Sequence, residues 1–155
     1  MKIVTRQQQV VTGISVRTSN AAEIDTDTQK IAPMWQRFME LYGDQVANNQ
    51  RVYGVYYDYE SDMDGQYSVM AAVEEGRLTT PISAEPFSTQ VLASGNYLCF
   101  SAEGEMPQAV VSLWNTIWAY FAKEDCPYQR QYVTDFECYT SGSNVDIYIG
   151  VHVEV

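Results

Sequence analysis

The chain has 155 residues, 46% of them hydrophobic, a length that suits one domain around one core. Nine Lys and Arg against 20 Asp and Glu give a net charge of -11. The basic residues are scattered and form no stripe along which a phosphate backbone could run, which argues against direct nucleic-acid or anionic-membrane binding.

Residues 3–18 carry Ile3, Val4, Val10, Val11, Ile14 and Val16 and read as a strand, with a bulge expected at Gly13. Asp25-Thr26-Asp27-Thr28 then offers helix N-caps. Beyond it, Ile31, Met34, Trp35, Phe38, Leu41 and Tyr42 recur at three- and four-residue steps. That spacing predicts a helix over about 28–42 with one apolar face, Pro33 in its first turn and Gly43 as its stop. Val52 to Tyr59 reads as a strand, and Asp62, Asp64 and Gly65 supply a turn. Gln66 to Val73 alternates as a second strand, and residues 74–86 read as a connector.

The order then repeats. Phe87 to Phe100 forms strand material broken at Ser94-Gly95-Asn96. Pro107 suits a first helical residue, after Glu103 and Glu105. Val110, Leu113, Trp114, Ile117, Trp118 and Phe121 give a helical stripe at about 107–123. Strands are expected at Tyr132–Tyr139 and Val145–Val155, joined by Ser141-Gly142-Ser143-Asn144. An offset of 79 residues links Trp35 to Trp114, Tyr53 to Tyr132, Tyr57 to Phe136 and Asp58 to Glu137. The expectation is an α+β fold of duplicated β-α-β-β units in one domain over 1–155, with repeats at about 1–76 and 86–155.

Cys99, Cys126 and Cys138 are odd in number and lack CxxC spacing, so neither a disulfide frame nor a zinc site is expected. His152 is the one histidine, and with Val151 and Val153 beside it reads as an outward strand residue. No apolar run reaches 18 residues, and the N-terminus turns polar without a signal core, so a cytoplasmic location is expected. No nucleophile elbow, P-loop or dinucleotide fingerprint is present, and no metal or cofactor is expected. Asp62, Asp64 and Gly65 lack calcium-loop spacing.

Strand alternation places Val133, Asp135, Glu137 and Tyr139 on one face, opposite Tyr132, Thr134, Phe136 and Cys138. Glu137 then faces either solvent or the helices. In the second case burial raises its pKa, and a cationic ligand among aromatic rings offsets the cost. Trp35, Trp114 and Trp118 fit either simple core packing or the walls of such a site.

Val52-Tyr53-Gly54-Val55-Tyr56-Tyr57-Asp58-Tyr59, Gly95-Asn96-Tyr97, Leu113-Trp114, Trp118-Ala119-Tyr120-Phe121, Asp135-Phe136-Glu137-Cys138-Tyr139 and Asp146-Ile147-Tyr148-Ile149 together carry a resemblance. The chain resembles the effector-binding domains of AraC-type transcription activators and the gyrase-inhibitory-protein-like small-molecule-binding family. It is similar in particular to stand-alone effector-binding proteins of integron cassettes. The resemblance implies a pseudo-two-fold antiparallel sheet with two main helices and a central ligand cleft. It implies a non-enzymatic protein for bulky hydrophobic cationic compounds, serving drug sensing, sequestration or transcription regulation. Glu137 becomes the candidate counter-ion, with Tyr56, Tyr139, Trp35, Phe38, Trp114 and Trp118 as walls. Some relatives hydrolyse reactive electrophiles with a cleft glutamate and others inhibit gyrase, so both remain alternatives. Direct promoter recognition is not expected, because the family's helix-turn-helix region does not precede the first strand; sequestration of a drug and a signal passed to a separate regulator protein remain alternatives. A monomer is expected, since an internal pseudo-dimer reduces the need for a second chain.

Overall fold

A computed structural model describes residues 1–43, 51–75 and 87–152. The connector expected over 74–86 therefore lies mostly outside the described residues, as do the last three residues of the expected final strand. The elements run β1 (Lys2–Arg6), β2 (Gln9–Ser19), α1 (Asn20–Ile24), α2 (Ile31–Tyr42), β3 (Val52–Tyr57), β4 (Gln66–Glu74), β5 (Phe87–Leu92), β6 (Gly95–Glu103), α3 (Gln108–Phe121), β7 (Gln129–Ser141) and β8 (Asn144–His152). The eight strands form one antiparallel sheet in the order β1-β6-β8-β7-β3-β4-β2-β5.

The first segment departs from expectation. It is two strands, because Gln7 and Gln8 break it and the pieces take different partners. β1 pairs with β6, while β2 pairs with both β4 and β5. Gly13 is not a bulge, for its register runs unbroken through Ala72. It marks a close backbone approach instead: a Cβ there would lie 1.8 Å from the Ala71 carbonyl oxygen.

The α2 cap also differs. Asp25 and Thr28 close a turn on each other, with the Thr28 N–H donating to the Asp25 carbonyl at 3.1 Å. Glu23 of the short helix α1 caps α2 from a distance. Its carboxylate accepts from the Lys30 N–H at 2.8 Å and the Ile31 N–H at 3.0 Å, and from the Thr18 hydroxyl at 2.6 Å. Two of the free N–H groups that open any helix are thereby satisfied. Pro33 sits in the first turn, as expected, and Gly43 caps the end. Pro107 lies at the N-cap of α3, one residue before the first helical position.

Both sheet faces are buried. On one face, Met34, Phe38 and Tyr42 of α2 pack on Ile14, Tyr67, Val69, Ala71 and Val73. On the same face, Val110, Leu113 and Ile117 of α3 pack on Leu98, Phe100, Val145, Ile147, Ile149 and Val151. The opposite face curls on itself, bringing β5 against β7 and enclosing Val11, Tyr53, Val55, Met70, Leu92, Tyr97 and Phe136. That second core takes four of the 12 tyrosines, Tyr53, Tyr57, Tyr97 and Tyr148, and Tyr53 and Tyr97 are buried bodies whose hydroxyls still find partners. Among the described residues no helix is long and apolar enough to cross a membrane, and Cys99, Cys126 and Cys138 are free. His152 is exposed at the end of β8.

Candidate functional site

The centre of the sheet is the β3–β7 pair. There Val52 lies opposite Tyr139, Gly54 opposite Glu137 and Tyr56 opposite Asp135. These six residues point to the helix-bearing face, as the pairing of Glu137 with Ile147 of the α3 core requires. The open question about Glu137 is thereby answered: it faces the helices and is 4% exposed.

Three aromatic side chains from three elements hold its carboxylate. The Tyr56 hydroxyl of β3 donates to Oε2 at 2.9 Å, and the Trp114 Nε1 of α3 donates to the same oxygen at 2.7 Å. The Tyr139 hydroxyl donates to Oε1 at 2.9 Å. Burial pushes the Glu137 carboxyl above its ordinary value, and the bonds from Trp114, Tyr56 and Tyr139 offset only part of that push. All three donors are neutral. Tyr56 and Tyr139 stay protonated, since burial and the adjacent carboxylate drive both phenols well up.

Aromatic rings run on from these donors in edge and tilted contacts. Trp35 of α2 meets the Tyr139 ring edge-on at 5.6 Å, and Tyr56 meets Trp114 at 5.2 Å. Tyr67 meets the Tyr56 ring at 5.8 Å, and Trp118 meets the Trp114 ring at 6.0 Å. Trp118 is 37% exposed. Of the residues singled out from sequence, Glu137, Tyr56, Tyr139, Trp35 and Trp114 come together at one point. Phe38 does not reach the carboxylate; it is fully buried and supports Trp35 from behind at 6.0 Å.

Two residues were missed. Gly54 makes room for the arrangement: a Cβ there would lie 2.5 Å from Glu137 Oε1 and 3.1 Å from the Trp35 ring. A glycine within a strand was the available signal, since such a glycine often marks a close approach. Asp135 is a second carboxylate on the same face and is completely buried. Arg130 donates to its Oδ2 at 2.7 Å, the Tyr59 hydroxyl to the same oxygen at 2.5 Å, and the Gly150 N–H to Oδ1 at 2.9 Å. Asp58, matched to Glu137 by the 79-residue offset, is exposed beyond the end of β3, and its carbonyl accepts from Arg17. Among the described residues no cluster of His, Cys, Asp and Glu is arranged to hold a metal ion.

A buried carboxylate ringed by aromatic donors on a curled α+β sheet is the kind of site that small-molecule-binding domains use. An integron cassette protein from the mobile metagenome of Vibrio cholerae has the same fold, with a TM-score of 0.87 and 40% identity over 97% of this chain and 95% of that one. SAV2435, solved bound to tetraphenylphosphonium, matches at a TM-score of 0.71 and 22% identity, over 97% of this chain and 93% of its own. A putative bacterial transcription regulation protein from Staphylococcus aureus matches at 0.73 and 23%, over 98% and 97%. Curated protein sequences give no match. The family model of integron-associated effector binding proteins matches residues 2–151, and the chain belongs to that family.

Proposed function

We propose that this protein binds bulky hydrophobic cations in a central cleft between its two halves, with Glu137 as counter-ion and the Trp and Tyr side chains as walls. One observation carries the reading. Glu137 is buried, its oxygens are held among the described residues by neutral donors alone, and that arrangement leaves a negative charge for a ligand to neutralise. Cation–π contacts with Tyr56, Tyr139, Trp35 and Trp114 would each add about 0.5–2 kcal/mol. The tetraphenylphosphonium held by a protein of this fold is a ligand of the same class. A duplicated β-α-β-β origin fits the strand order, which reads the same when β1–β4 are exchanged for β5–β8. The cleft then falls at the β3–β7 seam, where both Trp35 and Trp114 arrive.

In this reading the protein is a cytoplasmic, monomeric, non-enzymatic module that senses or sequesters a drug, or hands the signal to a separate regulator. The test is titration of the folded protein with tetraphenylphosphonium, followed by tryptophan fluorescence and thermal shift. Saturable quenching with stabilisation supports the reading, and the absence of both across a panel of lipophilic cations refutes it. A hydrolase reading draws on the raised pKa of Glu137, which suits a general base. Mass-spectrometric detection of turnover with reactive electrophiles would favour it over simple binding.

A further inference from the structure

The face that carries Glu137 carries a second carboxylate, Asp135, two residues along the same strand and about 7 Å away from the strand rise. The two acids are the buried charged side chains among the described residues, apart from the Arg130 side chain, which is 8% exposed. Their surroundings share a chemistry. Each carboxylate accepts from a tyrosine hydroxyl and lies among aromatic rings. They differ in one respect: among the described residues Asp135 has a cationic partner, Arg130, and Glu137 has none.

That cation is the chain's own. The Arg130 guanidinium donates to Asp135 at 2.7 Å and lies over the Tyr132 ring at 4.4 Å and near the Phe121 ring at 5.9 Å. Its Nε is buried without an acceptor, so Asp135 and the rings account for how this charge is held. Tyr59 donates to the same carboxylate and meets Tyr132 at 5.6 Å. Arg130, Asp135, Tyr59 and Tyr132 together make a carboxylate–aromatic box already filled by a cation. The box joins the Glu137 site through the Tyr59–Tyr67–Tyr56 rings, spaced 6.0 and 5.8 Å apart.

We propose that the cleft is selective for singly charged ligands, because Arg130 occupies its second acidic subsite and leaves Glu137 as the one carboxylate to be neutralised. This rests on the cation-binding reading above and sharpens it from hydrophobic cations to hydrophobic monocations. A monocation on Glu137 leaves the enclosed site neutral. A compact dication brings a second charge for which Asp135 is no longer available, and a desolvated unpaired charge is strongly disfavoured.

The experiment compares two tricyclic ligands of similar size by fluorescence titration and calorimetry. N-methylphenanthridinium carries one charge, diquat carries two within the same outline, and uncharged phenanthridine controls for apolar contact. The wild-type protein should bind N-methylphenanthridinium at least about tenfold more tightly than diquat, roughly one 1.4 kcal/mol step. Equal affinity, or tighter binding of diquat, overturns the inference while leaving cation binding intact. Failure to bind either cation, or binding of phenanthridine as tight as that of N-methylphenanthridinium, refutes the parent reading instead. Arg130→Gln releases Asp135 and should raise diquat affinity at least about tenfold relative to N-methylphenanthridinium. If this variant folds, as judged by its melting curve, and the preference does not move, Arg130 is not the selector. If it does not fold, the wild-type comparison decides alone.

Discussion

Replacing Glu137 by Gln is the sharpest perturbation of the site, because it removes the charge and almost nothing else. Tyr56 and Trp114 both donate to Oε2, and an amide oxygen in that place accepts both. The amide nitrogen then falls at Oε1, where it donates to the Tyr139 hydroxyl once that hydroxyl turns. Every hydrogen bond keeps a partner, so the fold should survive. The cost to a cation is different in kind. At about 5 Å and an effective dielectric of about 20, a unit pair is worth about 3 kcal/mol. Charge spread over the ligand's aryl groups and the three donors reduces that figure. Retaining about half leaves roughly 1.4 kcal/mol, or tenfold in affinity, as a floor. Tetraphenylphosphonium titrations of wild type and Glu137→Gln, with melting curves of both unliganded proteins, measure the two effects separately. The expected result is weaker binding by at least about tenfold with unliganded stability unchanged or raised, because the desolvated charge has gone. Equal affinity in the two proteins would remove Glu137 from the role of counter-ion.

The raised pKa of Glu137 gives two pH dependences. Cation affinity should fall as pH drops through that raised value, earlier than for a carboxylate titrating at the ordinary 4.5. Without ligand, the folded state holds the extra proton between the two values, so stability falls as pH rises across that window and the slope disappears in Glu137→Gln. A flat wild-type profile in melting curves taken across that window contradicts this. Gly54→Ala places a methyl group 2.5 Å from Glu137 Oε1 and 3.1 Å from the Trp35 ring. It should lower stability by about 1–3 kcal/mol in urea unfolding and weaken cation binding by displacing the carboxylate from Tyr139. Trp118→Ala should cost about 0.5–2 kcal/mol of cation binding in the same titration. Its effect on stability should stay within about 0.5 kcal/mol, since Trp118 is 37% exposed.

The helices were legible because burial of one face imposes a 3.6-residue period, and Met34, Phe38, Leu113 and Ile117 lie buried where that period puts them. Helix α1 was not, for its five residues bury none of their side chains and so leave no apolar period. Its contribution is carried by Glu23, whose carboxylate caps α2 seven and eight residues away, and no local spacing announces such a contact. The β1–β2 break was hidden for a related reason. A run of apolar residues shows that strand is present but not that its two ends pair with different neighbours.

The site divides along the same line. Strand alternation put Asp135, Glu137 and Tyr139 on one face, which is correct, but alternation cannot say which face is covered or which acid has a counter-ion. Both answers depend on register. Glu137 lies opposite a glycine, so its carboxylate has room to turn toward Tyr139 and Trp114. Asp135 lies beyond a register irregularity that begins at Arg130, and across it the two side chains pair. One strand therefore carries two buried acids of different meaning. Asp135 is neutralised from within and contributes to the fold, whereas Glu137 is held by groups that orient a negative charge without cancelling it. A protein that needed Glu137 only for stability would gain by replacing it with a neutral side chain of the same shape. A carboxylate in a ring of tyrosine and tryptophan donors is the arrangement that the proposed function calls for, with the positive charge arriving on the ligand.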